Sequence, residues 1–96
     1  MTILSAQKLE NYLKEYELHL KYWLPDDGDG NELLGCREIL AQNYTQLSDS
    51  DKAHLTRLDG TAEKLLSSYK GKLESFDIVM LKKCVSIAKQ LKAKND

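Results

Sequence analysis

Residues 48–71 read SDSDKAHLTRLDGTAEKLLSSYKG and carry the clearest helical pattern in the chain. Apolar side chains recur at steps of three and four residues, which is the spacing of one face of an α-helix. Residues 48–51 are types that cap helix N-termini, and Gly71 is typical of a helix stop. Because Gly60 falls on the polar side of the helical wheel, we expect one helix over about 51–70 rather than two short ones. The apolar stripe consists of Leu55, Leu58, Ala62, Leu65, Leu66 and Tyr69.

The same kind of spacing predicts three more helices. The first covers 5–24, with Ser5 as its N-cap and Pro25 preventing its continuation. The second covers about 32–47, although Gly35 lowers its helix propensity by about 1 kcal/mol relative to alanine. The stripe of the first helix consists of Leu9, Tyr12, Leu13, Tyr16, Leu20, Trp23 and Leu24, and that of the second of Leu33, Cys36, Leu40, Tyr44 and Leu47.

The last helix, over about 75–92, has an unusually wide apolar arc. Such an arc is typical of a helix that packs among neighbours or against a second chain. We therefore predict an all-α fold, a single bundle-like domain of four helices over residues 1–96, with a mobile acidic loop at 25–31.

Size and charge exclude several classes of protein. The chain has 96 residues, which allows one domain and excludes a conventional two-domain enzyme. Residues 1–48 carry four basic and eight acidic side chains, a net charge of −4, whereas 49–96 carry ten basic and seven acidic, a net charge of +3. This asymmetry suggests that acidic and basic faces meet within one fold or between two copies. The overall charge of −1 disfavours nonspecific nucleic-acid binding.

The cell compartment is predicted from the leader region and the cysteines. No charged-then-apolar leader and no apolar run of 18 residues occur, so we expect neither secretion nor a membrane span. Cys36 and Cys84 both fall on predicted core faces, where free thiols behave as small apolar groups. A reducing cytoplasm with two unpaired thiols is the expected setting.

The acidic loop resembles part of an EF-hand calcium loop. Asp27, Asp29 and Asn31 stand at alternate positions, and Glu38 follows Asp27 by eleven residues, as the bidentate ligand does in that motif. The sixth position, however, is Glu32 where the motif needs glycine. An acidic linker beside a helix N-terminus is the simpler interpretation, and calcium binding is kept as the alternative.

Catalytic and cofactor motifs are not found. His19 and His54 fall at the borders of their apolar stripes, and neither has the second histidine pair that a di-metal bundle site requires. Neither cysteine has a positive neighbour in the sequence pattern to produce a thiolate. We therefore expect a protein that is not an enzyme and that uses no cofactor.

Apolar residues outside the core stripes mark a candidate partner-binding surface. Leu18 and Tyr22 lie one turn apart on the back of the first helix, while Phe76 and Ile87 widen the arc of the last helix. Such residues either belong to a second core face or remain exposed as anchors for a partner. Both alternatives stand at this point.

These observations favour a small interaction or regulatory module. It would bind another protein, or a second copy of itself, through a helical apolar patch. The first alternative is an ion-responsive regulator that uses the acidic loop. The second is a nucleic-acid-binding regulator that uses the lysines of the last helix, which are Lys82, Lys83, Lys89, Lys92 and Lys94.

Overall fold

The computed structural model describes residues 5–24, 28, 30–69 and 75–95. Within these ranges the chain forms four α-helices and one short 3-10 helix, and the predicted all-α four-helix fold is confirmed. The α-helices are α1 (Ala6–Lys21), α2 (Gly30–Gln42), α3 (Asp49–Ser68) and α4 (Phe76–Asn95), and the 3-10 helix (Tyr44–Gln46) lies between α2 and α3.

The helices are not arranged around the bundle in chain order. Helix α2 packs against α1 and α4, and α3 also packs against α1 and α4. The order around the bundle is therefore α1, α2, α4, α3, and α1 lies diagonally opposite α4. Because α4 packs against two neighbours, its wide apolar arc is accounted for within one chain.

Contacts between segments that flank the helices define one end of the bundle. The Trp23 ring, just after α1, meets the Tyr69 ring, just after α3, edge to face with centroids 5.2 Å apart. The Asp77 carboxylate, in the first turn of α4, accepts hydrogen bonds from the backbone N–H groups of Gly28 (2.8 Å) and Gly30 (2.9 Å). Since Gly28 follows Trp23 by only five residues, both contacts lie at the same end of the bundle.

Helix α1 ends three residues earlier than the sequence predicts. Tyr22 leaves the helical conformation (φ −106°, ψ 18°), while its backbone N–H still donates to the Leu18 carbonyl. This change of direction brings Trp23 into the core, where it is 7% exposed, and leaves Leu24 59% exposed. The predicted core position of Leu24 is therefore wrong, because residue 24 lies beyond the last helical turn.

Helix α2 begins two residues before its predicted start at residue 32 and ends five residues before its predicted end at residue 47. Its early start makes Gly30 and Asn31 helical, so the predicted loop is too long at that side. At the other end Asn43 departs from helical geometry (φ −114°, ψ 19°), and its side-chain amide donates to the Ile39 carbonyl. Mobility is predicted for residues 25–31, of which 25–27 and 29 lie outside the described residues.

Helices α3 and α4 follow their predictions closely. Helix α3 begins after Ser48, whose hydroxyl accepts from the Asp51 N–H, and it continues without a break through the exposed Gly60. Helix α4 begins after Ser75, whose hydroxyl accepts from the Ile78 N–H, and it extends three residues past the predicted end. The main core draws on all four α-helices and consists of Leu9, Leu13, Tyr16, Leu20, Trp23, Leu33, Leu40, Leu47, Leu55, Leu58, Ala62, Ile78, Leu81, Cys84 and Val85.

Candidate functional site

Three large apolar side chains at the end of α1 remain exposed. Leu18 is 48% exposed and Tyr22 is 66% exposed, one helical turn apart, and Leu24 follows at 59%. We call these three residues the α1 patch. The sequence left open whether Leu18 and Tyr22 belong to a second core face, and the structure places both on the surface.

The two predicted partner-binding residues of α4 lie in different surroundings. Phe76 is 59% exposed and directly precedes Asp77, so it lies at the same end of the bundle as the end of α1. Ile87 is half-buried. Eleven residues of α-helix separate it from Phe76, about 16 Å along the axis. Phe76 and Ile87 therefore do not form one compact surface.

A buried ion pair joins α2 and α3 beneath the surface. Arg37 is completely buried, and its Nε and Nη2 donate to Oδ1 (2.9 Å) and Oδ2 (3.0 Å) of Asp59. The hydroxyl of Tyr16, also completely buried on α1, donates to the same Oδ1 at 2.9 Å. The two parallel hydrogen bonds between guanidinium and carboxylate fix the relative positions of α2 and α3, which lie diagonally across the bundle.

Burial has the largest effect on the pKa values of Tyr16, Asp59 and Cys84 in and around this ion pair. Burial raises the pKa of Asp59, and the charge and hydrogen bonds of Arg37 oppose that rise. The pKa of the Tyr16 phenol is raised by burial and further by the Asp59 carboxylate. Burial raises the pKa of the Cys84 thiol to about 12, although the Arg37 charge acts to lower it. The expectation that no positive group lies near a cysteine is therefore wrong, because the fold brings Arg37 towards Cys84.

A groove of about 520 Å³ opens between α3 and α4 on the outer side of Asp59. Its apolar surface comes from Leu55, Val85, Ala88 and Leu91, which continue the core outwards. Charged groups of both signs also line it, with Asp59 and Glu63 on α3 and Lys89 and Lys92 on α4. We call this feature the α3–α4 groove.

The calcium-loop geometry is not formed by the residues that the structure describes. Asn31 and Glu38 both lie within α2, seven residues or about 10 Å apart along its axis. In an EF-hand these positions lie in a loop that wraps around one ion, with ligand oxygens at about 2.3–2.6 Å, whereas here they lie on one continuous helix. Asp27 and Asp29 lie outside the described residues. No group of three or more His, Cys, Asp or Glu side chains suited to a metal occurs in the described ranges.

The histidines occupy half-buried border positions, as the sequence predicts. His54 Nε2 lies 3.3 Å from Glu17 Oε2, which links α3 to α1, and His19 Nε2 lies 3.9 Å from Glu15 Oε2 on its own helix. Both are surface contacts between an imidazole and a carboxylate, which contribute little to stability.

The two cysteines are free thiols. Cys84 is completely buried, whereas Cys36 is only half-buried, so the predicted core position of Cys36 holds in part. Burial also raises the pKa of Cys36, and nearby Glu15 and Glu32 add to that rise.

Arg37, Asp59 and Asp77 are structural polar groups that none of the predictions from the sequence includes. A signal for the first two exists, because each interrupts an apolar stripe. Arg37 stands between Leu33 and Leu40 at helical spacing, and Asp59 continues the stripe of α3 in the same way. Two opposite charges on two core faces indicate a buried pair, since an unpaired buried charge is very costly.

Comparison with known proteins gives no assignment: no family model, no curated protein and no solved structure matches the chain. Among the described residues, no helix combines the length and apolar character needed to cross a membrane.

Proposed function

We propose that this protein is a non-enzymatic interaction module of the cytoplasm that binds another protein through the α1 patch. The observation that carries the proposal is the exposure of Leu18, in the last turn of α1, and of Tyr22, the residue at which that helix ends. Exposed apolar groups that adjoin one another, and especially a tyrosine, are typical anchors of protein interfaces.

The scaffold beneath the patch supports this use. The opposite face of α1 is anchored in the core by Leu9, Leu13, Tyr16 and Leu20, each at most 5% exposed. The α1 patch is thus presented on a helix whose position is held by packing, which lowers the entropy lost on binding. The Lys21 ammonium lies 5.4 Å from the centre of the Tyr22 ring and adds a charged rim. A partner helix with an apolar face suits this surface.

The two cysteine thiols support the proposal that the protein is not an enzyme and that it is cytoplasmic. The pKa values of Cys36 and Cys84 are both raised by burial, which disfavours the thiolate that a cysteine nucleophile needs. Both thiols are free, which favours a reducing compartment such as the cytoplasm.

The test compares three forms of the tagged protein in affinity capture from its native lysate. They are the wild type, Tyr22→Lys, and Ala53→Lys as a matched control that adds the same charge to the exposed side of α3. We expect a protein captured in about stoichiometric amount by the wild type and Ala53→Lys, and lost with Tyr22→Lys. A photo-crosslinking residue at position 22 should then label that protein.

Equal capture by all three forms would refute the role of the α1 patch. Thermal melting of each variant provides the folding control. A charge placed on a side chain that is 66% exposed should change stability by less than about 0.5 kcal/mol.

A further inference from the structure

We draw no further inference here: the strongest candidate, the α3–α4 groove with its apolar base of Leu55, Val85, Ala88 and Leu91, carries nothing because its walls bear charges of both signs and nothing in the structure shows what covers it.

Discussion

Replacing Asp59 with alanine should destabilise the fold strongly, because it leaves the guanidinium of Arg37 buried without a counter-charge. Arg37 is completely buried and Asp59 accepts two hydrogen bonds from it, at 2.9 and 3.0 Å. Removing one partner of a buried pair costs about 3–5 kcal/mol. The phenol of Tyr16 also loses its acceptor, which adds roughly 1 kcal/mol. Since domains of this kind are stable by about 5–15 kcal/mol, the variant should lie close to its unfolding threshold.

The assays are urea unfolding and thermal unfolding at pH 7, both monitored by far-ultraviolet circular dichroism. Asp59→Ala should lower the melting temperature by at least about 12 °C, at about 4 °C for each kcal/mol lost. Tyr16→Phe, which leaves the ion pair in place, should lose only about 1 kcal/mol. The double variant Arg37→Met with Asp59→Leu should recover most of the loss, because an apolar pair leaves no buried charge.

Two results would refute this reasoning. A loss below about 1 kcal/mol in Asp59→Ala would mean that Arg37 reaches solvent once its partner is removed. A double variant as unstable as Asp59→Ala would mean that packing around position 59, and not the unpaired charge, determines the loss.

Four further substitutions test other parts of the structure. Gly30→Ala should lower the free energy of unfolding in urea by about 1–3 kcal/mol, because its Cβ would lie 2.7 Å from Asp77 Oδ1 and 2.9 Å from Asp77 Cα. An unchanged urea midpoint would contradict that close contact. Gly60→Ala should instead raise the free energy of unfolding by about 0.5–1 kcal/mol, because the added Cβ meets open space and alanine favours the helix. A lower free energy of unfolding would mean that the Cβ clashes with a neighbouring atom. For Cys84 the folded pKa of about 12 lies above the ordinary 9.0, so the stability that its proton contributes is present below pH 9 and falls as the pH rises towards 12. Cys84→Ala should accordingly show a shallower alkaline decline than the wild type, by up to about 1.4 kcal/mol per pH unit, and parallel curves would refute the raised pKa. Tyr22→Lys should leave the unfolding midpoint unchanged, and a marked loss would mean that the ring is packed in solution.

The number and approximate positions of the helices followed from local sequence signals. Ser5 caps the helix that it was predicted to cap, and α3 begins within the predicted cluster of capping residues at 48–51, with Ser48 as its cap. Gly60, placed on the polar side of the wheel, is exposed within one uninterrupted helix. These features depend on backbone hydrogen bonds and capping groups within a few residues of each other. Local spacing therefore contains the information that specifies them.

The ends of the helices were predicted less well where distant residues determine them. Helix α1 ends early because Trp23 packs against Tyr69, 46 residues later in the chain. Helix α2 begins early beside Asp77, whose carboxylate accepts from Gly28 and Gly30. Neither partner lies within the window that a periodicity argument considers.

The candidate partner-binding site was likewise predictable from the sequence only in part. The sequence alone selected Leu18 and Tyr22, because two apolar residues one turn apart on the polar side of a helix are visible from spacing. Their exposure depends on how many sides of α1 the other helices cover, and the spacing of apolar residues along α1 does not predict that number. In the tertiary structure α1 packs against α2 and α3, and Leu18 and Tyr22 remain exposed.

Which segments are helical, and which face of each helix is apolar, can be predicted from the sequence, because both follow from interactions between residues three or four positions apart. The order of the helices around the core, the pairing of Arg37 with Asp59, and the groove between α3 and α4 are visible only in the folded structure. These features arise from contacts between distant residues, whose free energy depends on burial and on the geometry of two surfaces together.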